Sequence, residues 1–85
     1  MEQCYLGESF ELRFKVEKGP ISSASFKVYG PDGTIQDQGL MGIDDKIISF
    51  RFTPDEAGQH TIEVTWVTGQ DVWKNPFLID VRAVR

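Results

Sequence analysis

The chain has 85 residues, a net charge of −4, and charged and hydrophobic fractions of 26% and 40%. This balance excludes a disordered chain, and no apolar run approaches the roughly 20 residues a membrane helix needs. The start Met1-Glu-Gln-Cys-Tyr5 is neither basic nor apolar, so no signal peptide is expected.

The apolar pattern has a period of two. Phe10-Glu-Leu12-Arg-Phe14-Lys-Val16-Glu17 alternates apolar and charged residues without a break. A helix would scatter these residues around its circumference, whereas a strand places them all on one face. Ala24-Ser-Phe26-Lys-Val28-Tyr29 predicts a second strand. Thr34–Met41 is polar throughout and contains a glycine, the composition of a sheet edge. Ile48-Ser-Phe50-Arg-Phe52-Thr53, Ile62-Glu-Val64-Thr-Trp66 and Phe77-Leu-Ile79-Asp-Val81-Arg82 follow as further strands. Turn residues separate them: Lys18-Gly19-Pro20, Gly30-Pro31-Asp32-Gly33, Asp44-Asp45, Pro54–Gly58, Thr68–Asp71 and Asn75-Pro76.

This spacing predicts an all-β, immunoglobulin-like antiparallel β-sandwich of about seven strands in one domain, residues 1–85, with its core sandwich over 8–84. The expected core is Phe10, Leu12, Phe14, Val16, Phe26, Val28, Phe50, Phe52, Ile62, Val64, Trp66, Phe77, Ile79 and Val81. Cys4 is the only cysteine, so no internal disulfide can form. At the corner before the fourth strand, Glu56-Ala-Gly58-Gln-His60-Thr-Ile62 puts His60 where an immunoglobulin domain has its corner tyrosine. Ile62, with Leu12 or Phe14, then takes the place of the cysteine pair, which suits a reducing compartment.

No catalytic, cofactor-binding or metal-ligating residue is expected. His60, the only histidine, suits a structural hydrogen bond at the corner, and Cys4 has no other histidine to act as its base. One cysteine and one histidine cannot assemble a usual zinc site. Asp44 and Asp45 are neighbours in a turn and need not face one cleft. Asp32, Asp44 and Asp45 do not form a calcium loop, and Gly30–Gly33 lacks the lysine of a phosphate loop. Residues 31–56 hold six carboxylates against Lys46 and Arg51, which argues against a nucleic-acid partner. Trp73 is not assigned to the core by alternation; it is expected to cap the bottom of the sandwich or, alternatively, to be exposed where a neighbour packs.

Four segments resemble the filamin-type immunoglobulin repeat. Phe14-Lys-Val16-Glu17 is similar to the family's strand B. Phe26-Lys-Val28-Tyr-Gly30-Pro31-Asp32 is similar to the end of strand C. Phe50-Arg-Phe52-Thr-Pro54-Asp-Glu56-Ala-Gly58-Gln-His60-Thr-Ile62-Glu-Val64-Thr-Trp66 resembles strand E, the corner and strand F. Asn75-Pro76-Phe77-Leu-Ile79-Asp-Val81 resembles strand G. The chain departs from the pattern at Asp45-Lys46, where the family has Asp-Gly, and in a loop after strand B with one glycine, Gly19. Its strand A is missing or reduced to Glu2–Leu6.

The resemblance implies a cytoplasmic, cytoskeleton-associated scaffold repeat of an actin-crosslinking protein. Neighbouring repeats would be its first partners, and actin would be reached only through other domains. It also implies binding of peptide tails of membrane receptors or signalling proteins by strand addition, along an exposed edge of strand C and the groove to strand D. By position, that face holds Ser25, Lys27 and Tyr29 of strand C with Ile35, Gln36, Leu40 and Met41 of strand D. A tripartite-motif-type protein, or an extracellular adhesion domain with a partner for Cys4, are the alternative settings. No membrane insertion is expected.

Overall fold

The structure, a computed structural model, describes residues 2–83. The alternating segments become strands because each has one apolar face to bury. In chain order they are β1 (Glu2–Tyr5), β2 (Phe10–Lys15), β3 (Ser23–Tyr29), β4 (Ile35–Leu40), β5 (Gly42–Asp44), β6 (Ile47–Phe52), β7 (Gly58–Thr68) and β8 (Asp71–Arg82). One sheet has the order β1-β8-β7-β3-β4 and the other β2-β6-β5. All neighbours run antiparallel except β1 and β8, which are parallel. The two sheets form an immunoglobulin-like sandwich, and Cys4 is a free thiol. The expected boundaries at residues 1, 84 and 85 lie outside the described residues.

Among the described residues the sandwich has eight strands where about seven were expected. The polar segment 34–41 does not run as one strand. Its first part, β4, pairs with β3 in the larger sheet. The chain then crosses between the sheets at Met41, and β5 pairs with β6. Met41 is buried at the crossing, and its amide bonds the carbonyl of Ala24 at 3.0 Å. The last strand also starts earlier than expected. β7 and β8 form a hairpin in unbroken register from Gly58 opposite Val81 to Thr68 opposite Asp71, with Gly69 at φ 63 in its turn. Asn75-Pro76 therefore lies inside β8 instead of opening it.

Pro76 is tolerated there for a geometric reason. The amide of Leu6 bonds the Arg82 carbonyl, so the backbone groups of Arg82 face β1, away from β7. Backbone direction alternates along a strand, so Pro76 also turns its missing N–H toward that outer edge. Since β1 pairs only with Ile79–Arg82, no described strand is deprived of a bond there.

Eleven of the fourteen expected core residues are buried; Phe10, Phe14 and Phe77 are half-buried, and Ala24, Met41 and Ile48 join the core. The rings of Phe26 and Phe50 stack across the two sheets at 3.9 Å and 9°. Val28, Ile48, Ile62, Val64 and Ile79 have no solvent exposure, and each such side chain contributes on the order of 1.5–3 kcal/mol by leaving water. The three half-buried rings lie on β2 and β8, along the side where no described strand closes the sandwich. Phe14 packs edge-on to Phe77 at 5.3 Å and tilted against Trp66 at 5.1 Å.

Candidate functional site

The expected peptide site assumed a free edge on strand C. Strand C is β3, and both of its edges are taken, by β7 from Ser23 to Tyr29 and by β4 from Ser25 to Tyr29. The groove drawn between strands 24–29 and 34–41 is therefore closed by hydrogen bonds. On this side of the sheet the free edge belongs to β4. Because the Met41 amide bonds toward β3, alternation turns the backbone groups of Gln38 and Leu40 outward.

The outer face of the larger sheet follows from the register. Leu40, Ser25, Thr65 and Lys74 form one row across four strands. Gln38, Lys27, Glu63 and Pro76 form the next, and Ile35, Tyr29, Thr61 and Leu78 a third. The small side chains of Ser25 and Thr65 lie in a trough of about 420 Å³ that Leu40 and Lys74 also line, with Gln38, Lys27 and Glu63 of the neighbouring row beside it. Leu40 is 83% exposed, and Ile35 and Leu78 are also exposed.

Five of the seven expected site residues, Ser25, Lys27, Tyr29, Ile35 and Leu40, share this outer face. Met41 does not. It is in the core, because the chain turns inward there to change sheets. Gln36 is set apart by a β-bulge: Val28 faces Asp37 and Tyr29 faces Ile35, so Gln36 is the extra residue. Its amide reaches Glu56 Oε2 and Thr34 Oγ1, each at 3.3 Å. Gln38 of β4, with Thr61, Glu63, Thr65, Lys74, Pro76 and Leu78 of β7 and β8, completes the face and was missed. Those of β7 and β8 are distant in sequence, and only the sheet order brings them beside Leu40.

The corner is held from the inside. The His60 ring is fully buried, and its Nδ1 donates to the Gly58 carbonyl at 3.1 Å. A carbonyl only accepts, so the ring carries its proton on Nδ1. Nε2 has no hydrogen-bond partner among the described residues. The ring lies 5.9 Å from that of Phe52. The structural hydrogen bond expected of the corner histidine is thus present.

At the opposite end, Trp73 stacks on Trp66 at 6.5 Å and 13°, and its Nε1 donates to Thr68 Oγ1 at 2.8 Å. It caps that end of the core on one face and stays 43% exposed on the other. Together with Phe14, Val16, Lys15 and Lys18 it lines a cleft of about 460 Å³ between the two sheets. The Cys4 thiol is pushed up from its ordinary value by burial, and further by the charges of Glu8 and Asp80. Asp32 is held below the usual carboxylate range by the Thr34 hydroxyl at 2.7 Å and the Thr34 amide at 3.1 Å.

Comparison with known proteins separates the fold from the family. No family model matches the chain. Filamin-C of Rattus norvegicus and filamin-C of Mus musculus are each 29% identical to it over 77 residues, 91% of the chain. The chain resembles a filamin-type immunoglobulin-like repeat. It spans only 3% of the length of either filamin-C. Among solved structures, CopC from Methylosinus trichosporium OB3b superposes with a TM-score of 0.75 over 99% of this chain and 85% of that one, at 10% identity. That likeness concerns the fold alone. The filamin-like segments read from the sequence occupy β2, the end of β3, the run from β6 through β7, and β8.

Proposed function

We propose that this chain is a non-enzymatic structural repeat of a larger cytoplasmic, cytoskeletal protein of the actin-crosslinking kind. It acts as a spacer beside neighbouring repeats and takes extended peptide tails of membrane receptors or signalling proteins by strand addition. The carrying observation is the likeness to filamin-C over 91% of the chain, with the corner histidine His60 buried and bonded to Gly58. The acceptor edge is β4, whose Gln38 and Leu40 backbone groups face outward beside the bare Leu40 side chain. Main-chain bonds would supply affinity there, and the trough between Leu40 and Lys74 would select side chains.

Two measurements test this. Amide spectra recorded with a panel of receptor and signalling-protein tail peptides should show slowed exchange at Gln38 and Leu40 and shifts along β3 and β4. Peptide binding that leaves these residues untouched would refute the edge assignment. Co-sedimentation with filamentous actin should leave the chain in the supernatant, since actin is to be reached through other domains. Pelleting of the chain by itself would refute that part.

A further inference from the structure

Among the described residues four strands border the sheets, and they are not equally defended against pairing. β4 is bulged at Gln36 and carries Asp37 and Gly39. The outer edge of β8 carries Pro76, and β1 and β5 have only four and three residues. Bulges, prolines, brevity and charged side chains are devices by which sheet edges avoid partners. β2 has only the last, and its charges are of both signs: Glu11 against Arg13 and Lys15. It is six residues long, without proline or bulge, and pairs with β6 in unbroken register from Phe10 opposite Phe52 to Lys15 opposite Ile47. The Val16 amide bonds the Lys46 carbonyl in the same register. Phe10, Leu12 and Phe14 therefore bond toward β6, and the backbone groups of Glu11, Arg13 and Lys15 face outward.

The sequence of this edge is self-complementary. Phe10-Glu11-Leu12-Arg13-Phe14 reads aromatic, charged, leucine, charged, aromatic from either end, with the charges of opposite sign. Laid antiparallel against itself about Leu12, it places each Glu11 opposite Arg13 of the second strand and each Phe10 opposite Phe14. Glu11 and Arg13, whose backbone groups point outward, would form two hydrogen-bonded pairs and exchange four bonds. Directly opposed unlike charges stabilise such a pairing, and like charges oppose it. Glu11 already lies 3.5 Å from Arg51 in an exposed ion pair, and Arg13 on the other copy would flank it from the open side. The inner face gains as well, because Phe10 and Phe14 are only half-buried and the cleft beside Phe14 and Trp73 is open.

We propose that β2 is a self-association edge: two copies of this chain join their β2 strands antiparallel about Leu12, making one six-stranded sheet from two three-stranded ones. The interface has two-fold symmetry and closes on itself. A single strand pair is smaller than a standard interface of roughly 1,200–2,000 Å², so the dimer is a weak one.

Sedimentation velocity of the 85-residue chain from about 10 μM to 1 mM reads the equilibrium, across the range in which such small interfaces populate. A monomer–dimer equilibrium is expected, with amide exchange at Glu11 and Arg13 slowing as concentration rises. Glu11→Arg and Arg13→Glu each oppose like charges at both pairs and should weaken the dimer about tenfold or more. The mixture of the two variants should form a heterodimer of wild-type strength, because one strand is then wholly basic and the other wholly acidic at these positions. The double variant Glu11→Arg/Arg13→Glu should also restore the homodimer. These residues are solvent-facing, and circular dichroism of each variant confirms its fold. A chain that stays monomeric at 1 mM overturns the proposal. So does a dimer indifferent to the charge swaps, or variants that do not rescue one another. None of these outcomes touches the β4 edge.

Discussion

Gly58 lies against Pro31 so closely that a Cβ on Gly58 would sit 2.6 Å from the proline Cγ. Gly58 opens β7, and Pro31 belongs to the turn between β3 and β4, so the contact locks the corner onto the neighbouring turn. Gly58 also has φ 124, a conformation that side chains rarely adopt. Gly58→Ala should therefore destabilise the fold by about 2–4 kcal/mol, combining backbone strain with a clash against a rigid ring. Gly33→Ala separates the two effects. Gly33 has φ 85 but open space around it, so its cost should be about 1–2 kcal/mol. Urea unfolding of both variants reads the difference, and equal losses would deny the clash.

His60 links the same glycine to the core. His60→Ala removes a fully buried ring and the hydrogen bond it gives the Gly58 carbonyl. The expected loss is about 2–4 kcal/mol, from the cavity together with the lost hydrogen bond. Long-range proton–nitrogen correlation spectra should find a proton on Nδ1. A bare Nδ1 would contradict the Gly58 bond.

Asp32 gives a pH dependence of known sign. Its carboxyl is held below its ordinary value of 3.8 by the Thr34 hydroxyl and amide. A group depressed in the folded state adds stability above its unfolded value and loses it as pH falls through the folded one. The stability gap between the wild type and Asp32→Asn should thus be largest near neutral pH and shrink below pH 3.8. A gap that widens in acid would reverse the assignment. An NMR titration should place the Asp32 midpoint below 3.8.

Cys4 should be a sluggish thiol. Burial raises its pKa first, and the carboxylates of Glu8 and Asp80 raise it further, so little thiolate is present at neutral pH. Reaction with an aromatic disulfide reagent should be slower than with a free cysteine peptide and should accelerate as pH rises above 9.0. Asp80→Asn should speed it, although Asp80 also accepts from Arg82 Nε at 3.0 Å. Reaction at the peptide rate at neutral pH would show that burial does not govern the thiol.

The strands that bury one face were legible because a half-buried strand must alternate. Leu12, Phe26, Val28, Phe50, Ile62 and Val64 obey that rule, and all are buried. The rule is silent at an edge. β4 is solvated on both faces, so nothing in Ile35-Gln-Asp-Gln-Gly-Leu40 tells which side turns inward. Leu40 and Met41 are adjacent apolar residues, one 83% exposed and the other in the core, and only the change of sheet decides between them. Pro76 reads as a break in the sequence and is not one, because whether a missing N–H matters depends on what lies across the edge. The face around Leu40 was half-visible for a related reason: strand alternation shows Ser25 and Lys27, while Glu63, Thr65 and Lys74 join them only through sheet order.

The parallel pairing of β1 with β8 has a mechanical consequence. β1 begins the described chain and β8 nearly ends it, and they meet side by side from Glu2 opposite Ile79 to Tyr5 opposite Arg82. Tension applied at the two termini draws these strands in opposite directions along their own length. The bonds between them are then loaded in shear, all together, instead of being peeled one at a time. Stretching a single molecule by its ends should yield one sharp rupture event, and deleting Glu2–Tyr5 should lower its force.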